Sequence, residues 1–85
     1  MSALPRSTSF KPQGVPMSDL EVVVMRAEEL EAMKLVDMEG MSQIEAATRM
    51  RVSQPTLCRL LMSGRGKVAE ALVNGKAITI KEAGA

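Results

Sequence analysis

Gln54 and Arg59 lie five residues apart in the run SQPTLCRLLM, and both side chains end in planar forks. One is an amide that donates and accepts side by side, the other a guanidinium that only donates. Forks of this kind match nucleobase edges in a major groove. Gln pairs with adenine N6/N7 and Arg with guanine O6/N7, each good bidentate contact contributing about 1–3 kcal/mol of discrimination. Pro55 and Cys58 share the same stretch and complete a candidate base-contacting set. Ser42, Gln43, Ser53 and Thr56 fall where helices are expected to start, and helix N-termini with short hydroxyls meet phosphates. Arg49, Arg51, Arg65 and Lys67 are the cations available to the same phosphates. The plain alternative is that these are solvated helix residues, and that Ser42 is only a cap.

The chemistry requires elements that hold these side chains out, and 42–62 (SQIEAATRMRVSQPTLCRLLM) encodes them. Ser42 with Glu45 three residues on is a capping box, which starts a helix at Gln43. Ile44, Ala47 and Met50 give that helix an apolar face. Arg51 and Val52 form a tight turn, Ser53 is a second N-cap, and Pro55 is tolerated in a first helical turn. Leu57, Leu60 and Leu61 carry the next apolar stripe, with Val52 and Leu57 closing the corner over the small Ala47. This is a helix-turn-helix pattern, in which the second helix offers its N-terminal turn to the duplex.

Other chemistries find little support. There is no His, which removes the commonest general base and metal ligand. A single cysteine excludes an internal disulfide and a multi-cysteine zinc site. Cys58 alone reads as a small packing residue rather than a redox or metal sensor. Phe10 is the sole aromatic residue, which argues against single-strand binding by base stacking. Acidic pairs such as Glu28 and Glu29 read as a solvated helix face. Met33, Met38, Met50 and Met62 read as core filling. No nucleophile–base pair, metal cluster or phosphate-cradling loop is present, so no enzyme and no cofactor are expected. No apolar run is long enough to span a membrane, and a cytoplasmic protein without a membrane partner is expected.

Charge is segregated although the net is only +1. Residues 17–45 carry eight acids against two bases, whereas 46–81 carry seven bases against one acid. Such a field can attach one face to a polyanion while the other stays in solvent. Two solvated helix faces of opposite sign are the alternative.

Around the motif, 1–16 is Pro-containing and reads as an irregular leader, 17–81 as the domain, and 82–85 as a tail. The expected fold is mainly α: a three-helix, winged-helix-like helix-turn-helix domain with a short flanking β-ribbon. Strands are predicted near 21–25 and 77–81, and helices near 27–39, 43–50 and 54–73. Gly64 and Gly66 each cost about 1 kcal/mol in a helix interior, so a break in the third helix near Gly64 is an open alternative. Val68, Ala71 and Leu72 continue its apolar series. The two strands can pair as an antiparallel ribbon within one subunit or between two.

The segment 10–80 resembles uncharacterised protein family 0251, small prokaryotic proteins described as predicted DNA-binding proteins with a helix-turn-helix like that of sigma-70 region four. The likeness rests on FKPQGVP at 10–16, ELEAMKLVDMEGMSQIEAA at 29–47 and KVAEALVNGKA at 67–77. It implies double-stranded DNA as partner but supplies no target. Three features depart from the family pattern. Arg51 stands where Gly is favoured, Gly64 and Gly66 replace bulkier basic residues, and Ser7 and Ser9 occupy a region that carries cysteines in many relatives. The resulting expectation is a sequence-specific regulator of transcription acting as a homodimer. An interaction module for RNA polymerase or a partner regulator is the alternative.

Overall fold

A computed structural model describes residues 8–82. Its elements are β1 (Ser9–Phe10), a 3-10 turn (Met17–Asp19), β2 (Val22–Arg26), α1 (Ala27–Met33), α2 (Gln43–Met50), α3 (Gln54–Asn74) and β3 (Ala77–Lys81). Three helices and a small three-stranded sheet make this a mainly α fold with a flanking sheet. No helix among the described residues is long and apolar enough to cross a membrane. Residues 1–7 of the expected leader and 83–85 of the expected tail lie outside the described residues.

Strand order is β1-β3-β2, and two features of the sheet correct the sequence reading. The leader contributes a strand, with Phe10 beside Ile78 in antiparallel pairing. β2 and β3 are parallel rather than antiparallel, from Val22 beside Ala77 to Arg26 beside Lys81. Parallel neighbours need a long crossover, and here all three helices lie between the two strands. Val23 and Met25 are buried while Val22, Val24 and Arg26 face out, so β2 alternates as a half-covered strand should.

α1 begins where Arg26 leaves the strand, its backbone N–H donating to Glu29 Oε1 at 2.8 Å. Its last turns widen into a π-helical segment, Lys34–Met38, closed by Glu39 N–H donating to the Lys34 carbonyl at 2.9 Å. The expected helix near 27–39 is thus one continuous rod of two pitches. α3 runs unbroken through both glycines. Gly64 is where α1 crosses it: a Cβ there would stand 2.9 Å from Met33 Sδ and 3.3 Å from Glu29 Cβ. At Gly66 a Cβ would meet open space.

The core has two parts. Ala32, Leu35, Ala46, Ala47, Leu57 and Leu61 join the three helices, with Val52 packed against them. Met25, Ala27 and Ile80 join the sheet to α1 and α3. Several apolar side chains expected inside lie outside: Ile44, Met38, Met62 and Leu72 are exposed. At α2 the buried face is centred on Ala46 and Ala47, because close helix approach selects the small residues and turns Ile44 away.

Candidate nucleic-acid interface

The segment joining α2 to α3 is built as its residues dictate. Ser42 Oγ accepts from Glu45 N–H at 3.1 Å, and Glu45 Oε1 accepts from Ser42 N–H at 3.1 Å. These hydrogen bonds hold the Glu45 carboxyl below its ordinary pKa, the backbone donor first among the causes. Ser53 caps α3 in the same way, accepting from Thr56 N–H at 3.2 Å, with Pro55 in the first turn. Ser53 Oγ also donates to Thr56 Oγ1 at 2.8 Å. Two hydroxyls at this helix start therefore satisfy each other and the backbone at once.

Between the helices, Arg51 has φ 59° and ψ 42°, the only positive φ at a non-glycine among the described residues. Val52 N–H donates to the Ala47 carbonyl at 3.0 Å. The end of α3 makes the same closure, Lys76 N–H to the Ala71 carbonyl at 2.9 Å, over Gly75 at φ 65°. Both are left-handed helix terminations. At one the residue is glycine, and at the other it is arginine.

Gln54, Pro55 and Arg59 are exposed, Thr56 and Cys58 half-buried. Arg59 Nη2 lies 3.5 Å from Thr56 Oγ1, and Cys58 Sγ lies 4.0 Å from Met62 Sδ. Gln43, Arg49 and Arg51 are exposed too. Arg49, Arg51 and Arg59 have no carboxylate partner among the described residues.

Arg65 and Lys67 are differently placed. Arg65 forms a bidentate pair with Asp37, at 3.0 Å from Nε and 2.6 Å from Nη2. That hydrogen bonding lowers the Asp37 pKa and raises the Arg65 pKa. Lys67 Nζ lies 2.8 Å from Oε1 of Glu29, whose side chain is 1% exposed. Ser63 Oγ donates to the other carboxylate oxygen. Burial is the largest single influence on Glu29 and pushes its carboxyl up. The hydrogen bonds from Lys67, Ser63 and the Arg26 backbone, with the Lys67 charge, outweigh it, and the pKa is lowered. The solvated acidic face expected at Glu28 and Glu29 is thereby corrected. Glu29 is a buried anchor between α1 and α3, and Glu28 is half-buried. The side-chain partners of Glu29, Ser63 and Lys67, lie 34 and 38 residues away, beyond the reach of any local pattern, and only the Arg26 backbone N–H is local. The glycine at position 64, which lets the helices touch, was the one signal available.

The cations of the second half of the chain therefore divide. Arg49, Arg51 and Arg59, flanking the α2–α3 connection, are open to solvent and unpaired, Arg65 and Lys67 are bound to acids of α1 and its π extension, Lys76 is bound to Glu70 and Glu21, and Lys81 on β3 is exposed.

Comparison with known proteins gives a family but no activity. The family described as "Protein of unknown function DUF134" matches residues 1–85. A UPF0251 protein of Thermoanaerobacter sp. is 56% identical over 77 residues, covering 91% of this chain and 68% of the relative. A UPF0251 protein of Methanosarcina acetivorans is also 56% identical over 77 residues, covering 91% and 69%. Another, from Moorella thermoacetica, is 56% identical over 78 residues, covering 92% and 52%. The chain thus spans between about half and two thirds of the length of these relatives. No solved structure matches it. On the full-length family match and these identities, the chain belongs to the UPF0251 (DUF134) family.

Proposed function

We propose that the chain binds double-stranded DNA sequence-specifically as a helix-turn-helix protein and regulates transcription. α2 would lie across the backbone, and the first turns of α3 would enter the major groove. Gln54 and Arg59, with Pro55 and Cys58 beside them, would read base edges. Arg49 and Arg51, with the caps Ser42 and Ser53 and the neighbouring Gln43 and Thr56, would fix the register on phosphates.

One observation carries this reading. The three arginines at the connection are exposed and unpaired, whereas Lys67 is paired with the buried Glu29 and Arg65, though exposed, with Asp37. A surface that served only solubility gives no reason for that division. In this reading Arg65 and Lys67 serve as struts that brace α3 rather than as phosphate ligands.

A selection of bound sequences from a random duplex library, followed by fluorescence anisotropy, tests the proposal. A defined site should emerge, binding should weaken steeply with salt, and Arg59→Ala should flatten preference at one base position by about 1–3 kcal/mol. Binding indifferent to salt, or a preference that survives the substitution, sinks it.

A second reading keeps the fold but uses it to hold another protein, such as RNA polymerase or a partner regulator. It is favoured by β2, an edge strand with Val22 and Val24 exposed. Absence of duplex binding at micromolar protein in low salt selects this alternative.

A further inference from the structure

Leu72 and Val73, adjacent in the last turns of α3, are 77% and 81% exposed, and Phe10 on β1 is 49% exposed. Leu72 and Phe10 line one open apolar cleft of about 350 Å³, together with Pro12, Ala71 and Ile78. We propose that this face is where a second copy of the chain docks, forming a two-fold dimer through the C-terminal ends of the two α3 helices.

Three arguments commit the face to a second copy. The first is area. The exposed parts of Phe10, Leu72 and Val73 amount to on the order of 350 Å², the size of the largest apolar patch on a typical monomer, which is often functional. A standard interface buries about 800 Å² on each partner, a little over half of it apolar, so the patch supplies most of an apolar centre. The second is shape. A two-fold contact places a surface against itself, so it needs projection and recess on one patch. The cleft that Leu72 lines is a recess, and Val73, the next residue of the helix and 81% exposed, is a side chain available to project.

The third is charge. The cleft is rimmed by Lys11 and Lys76. Lys76 is held by Glu70 at 2.7 Å and Glu21 at 3.6 Å, so both signs stand at the edge. Hydrogen bonding to Glu70 raises the Lys76 pKa and keeps that balance through neutral pH. A rim of mixed sign tolerates its own copy, where a rim of one sign would repel it.

The geometry also serves the proposed function, and this step rests on that reading. Thr56 and Leu72 are sixteen residues apart in one helix, or about 24 Å. If two α3 helices meet at Leu72 and diverge at roughly a right angle, their first turns stand about 34 Å apart, one turn of B-DNA. The selected site would then be a palindrome with half-sites one helical turn apart.

Sedimentation of the full chain with and without Leu72→Glu/Val73→Glu tests the interface. Both positions are exposed, so far-UV circular dichroism should be unchanged. The wild type should be dimeric at micromolar concentration, and the double variant monomeric, with the dissociation constant raised at least a hundredfold. As a second measurement, Val73→Cys in a Cys58→Ser background should yield a dimer with a short bis-maleimide. A monomeric wild type, or a charged variant that stays dimeric, overturns the interface. A dimer broken by the charges but binding no duplex leaves the interface standing and removes the DNA reading. A duplex-binding monomer does the reverse.

Discussion

Arg51 permits backbone and side chain to be tested separately at one residue. Its φ of 59° is left-handed, a region that costs an L-residue with a Cβ roughly 1–2 kcal/mol relative to its ordinary conformations. Glycine escapes this cost but surrenders about 0.4–1 kcal/mol through the freedom it adds to the unfolded chain. Arg51→Gly should therefore be about 1 kcal/mol more stable than Arg51→Ala, since both lose the same guanidinium and differ only in the turn. For a chain of this size that is a difference of about 4–8 °C in Tm, well resolved by thermal circular dichroism.

The side chain is a separate matter. Each phosphate contact contributes a salt exponent of about 0.9, so losing one should weaken duplex binding about eightfold at 0.1 M salt. Both variants should lose this equally, and the slope of log affinity on log salt should become shallower by about 0.9. Arg51→Lys should restore most of the affinity and none of the turn. Equal stability of the Gly and Ala variants would refute the left-handed turn. Undiminished binding in both would refute the phosphate contact.

Other perturbations bear on how α3 is held. Gly66→Ala should stabilise by up to about 1 kcal/mol, because its Cβ meets nothing, and urea unfolding will read it. Gly64→Ala should give no such gain, since its Cβ crowds Glu29 and Met33, and Gly64→Leu should unfold the chain or force α1 off α3. Lys67→Met leaves the Glu29 carboxylate buried without its counterion and should cost about 3 kcal/mol. That is the low end for a broken buried pair, because Lys67 itself is 29% exposed. The lowered pKa of Glu29 fixes the sign of the acid response. Its contribution is complete above the ordinary carboxylate value of 4.5 and is lost as pH falls through the lower folded value. The acid limb of stability below about pH 4.5 should be shallower in Glu29→Gln, whereas an unchanged limb would show that other carboxyls set it.

What was legible in the chain was what short-range chemistry decides. Ser42 with Glu45, and Ser53 with Pro55, fix helix starts within one turn, and both starts fall where the sequence puts them. Strand direction was not legible, because the alternation of Val22 to Met25 is the same in either orientation. The position of three intervening helices decides it. Glu29 departs from expectation because adjacent acids on a helix are ordinarily solvated, and here Lys67 and Ser63, with the Arg26 backbone N–H, make burial tolerable. Apolar periodicity put Ile44 with Ala47, but the contact formed where Ala46 and Ala47 let the helices approach. At the candidate interface, motif position located the exposed residues. It had no means of telling an arginine free for phosphate from one already bound to Asp37.

That distinction has a measurable consequence for the size of the contact. If all four candidate phosphate cations, Arg49, Arg51, Arg65 and Lys67, met phosphates, the salt exponent per protomer would reach about −3.6. With Arg65 paired to Asp37 at the surface and Lys67 to the buried Glu29, only Arg49 and Arg51 remain, and the exponent should not exceed about −1.8 in magnitude. The difference has a structural reason. A phosphate can replace Asp37 on Arg65 only by leaving that carboxylate unpaired, and can replace Glu29 on Lys67 only by leaving a buried charge alone. The second exchange is the more costly, since solvent cannot reach Glu29 to compensate. On the proposed reading α3 is a braced rod whose far cations tie it to α1 and its π extension, and its near end is the part proposed to meet the duplex. A measured exponent near −3.6 per protomer would mean that the braces release on binding, and the rod would have to be abandoned in favour of a hinge.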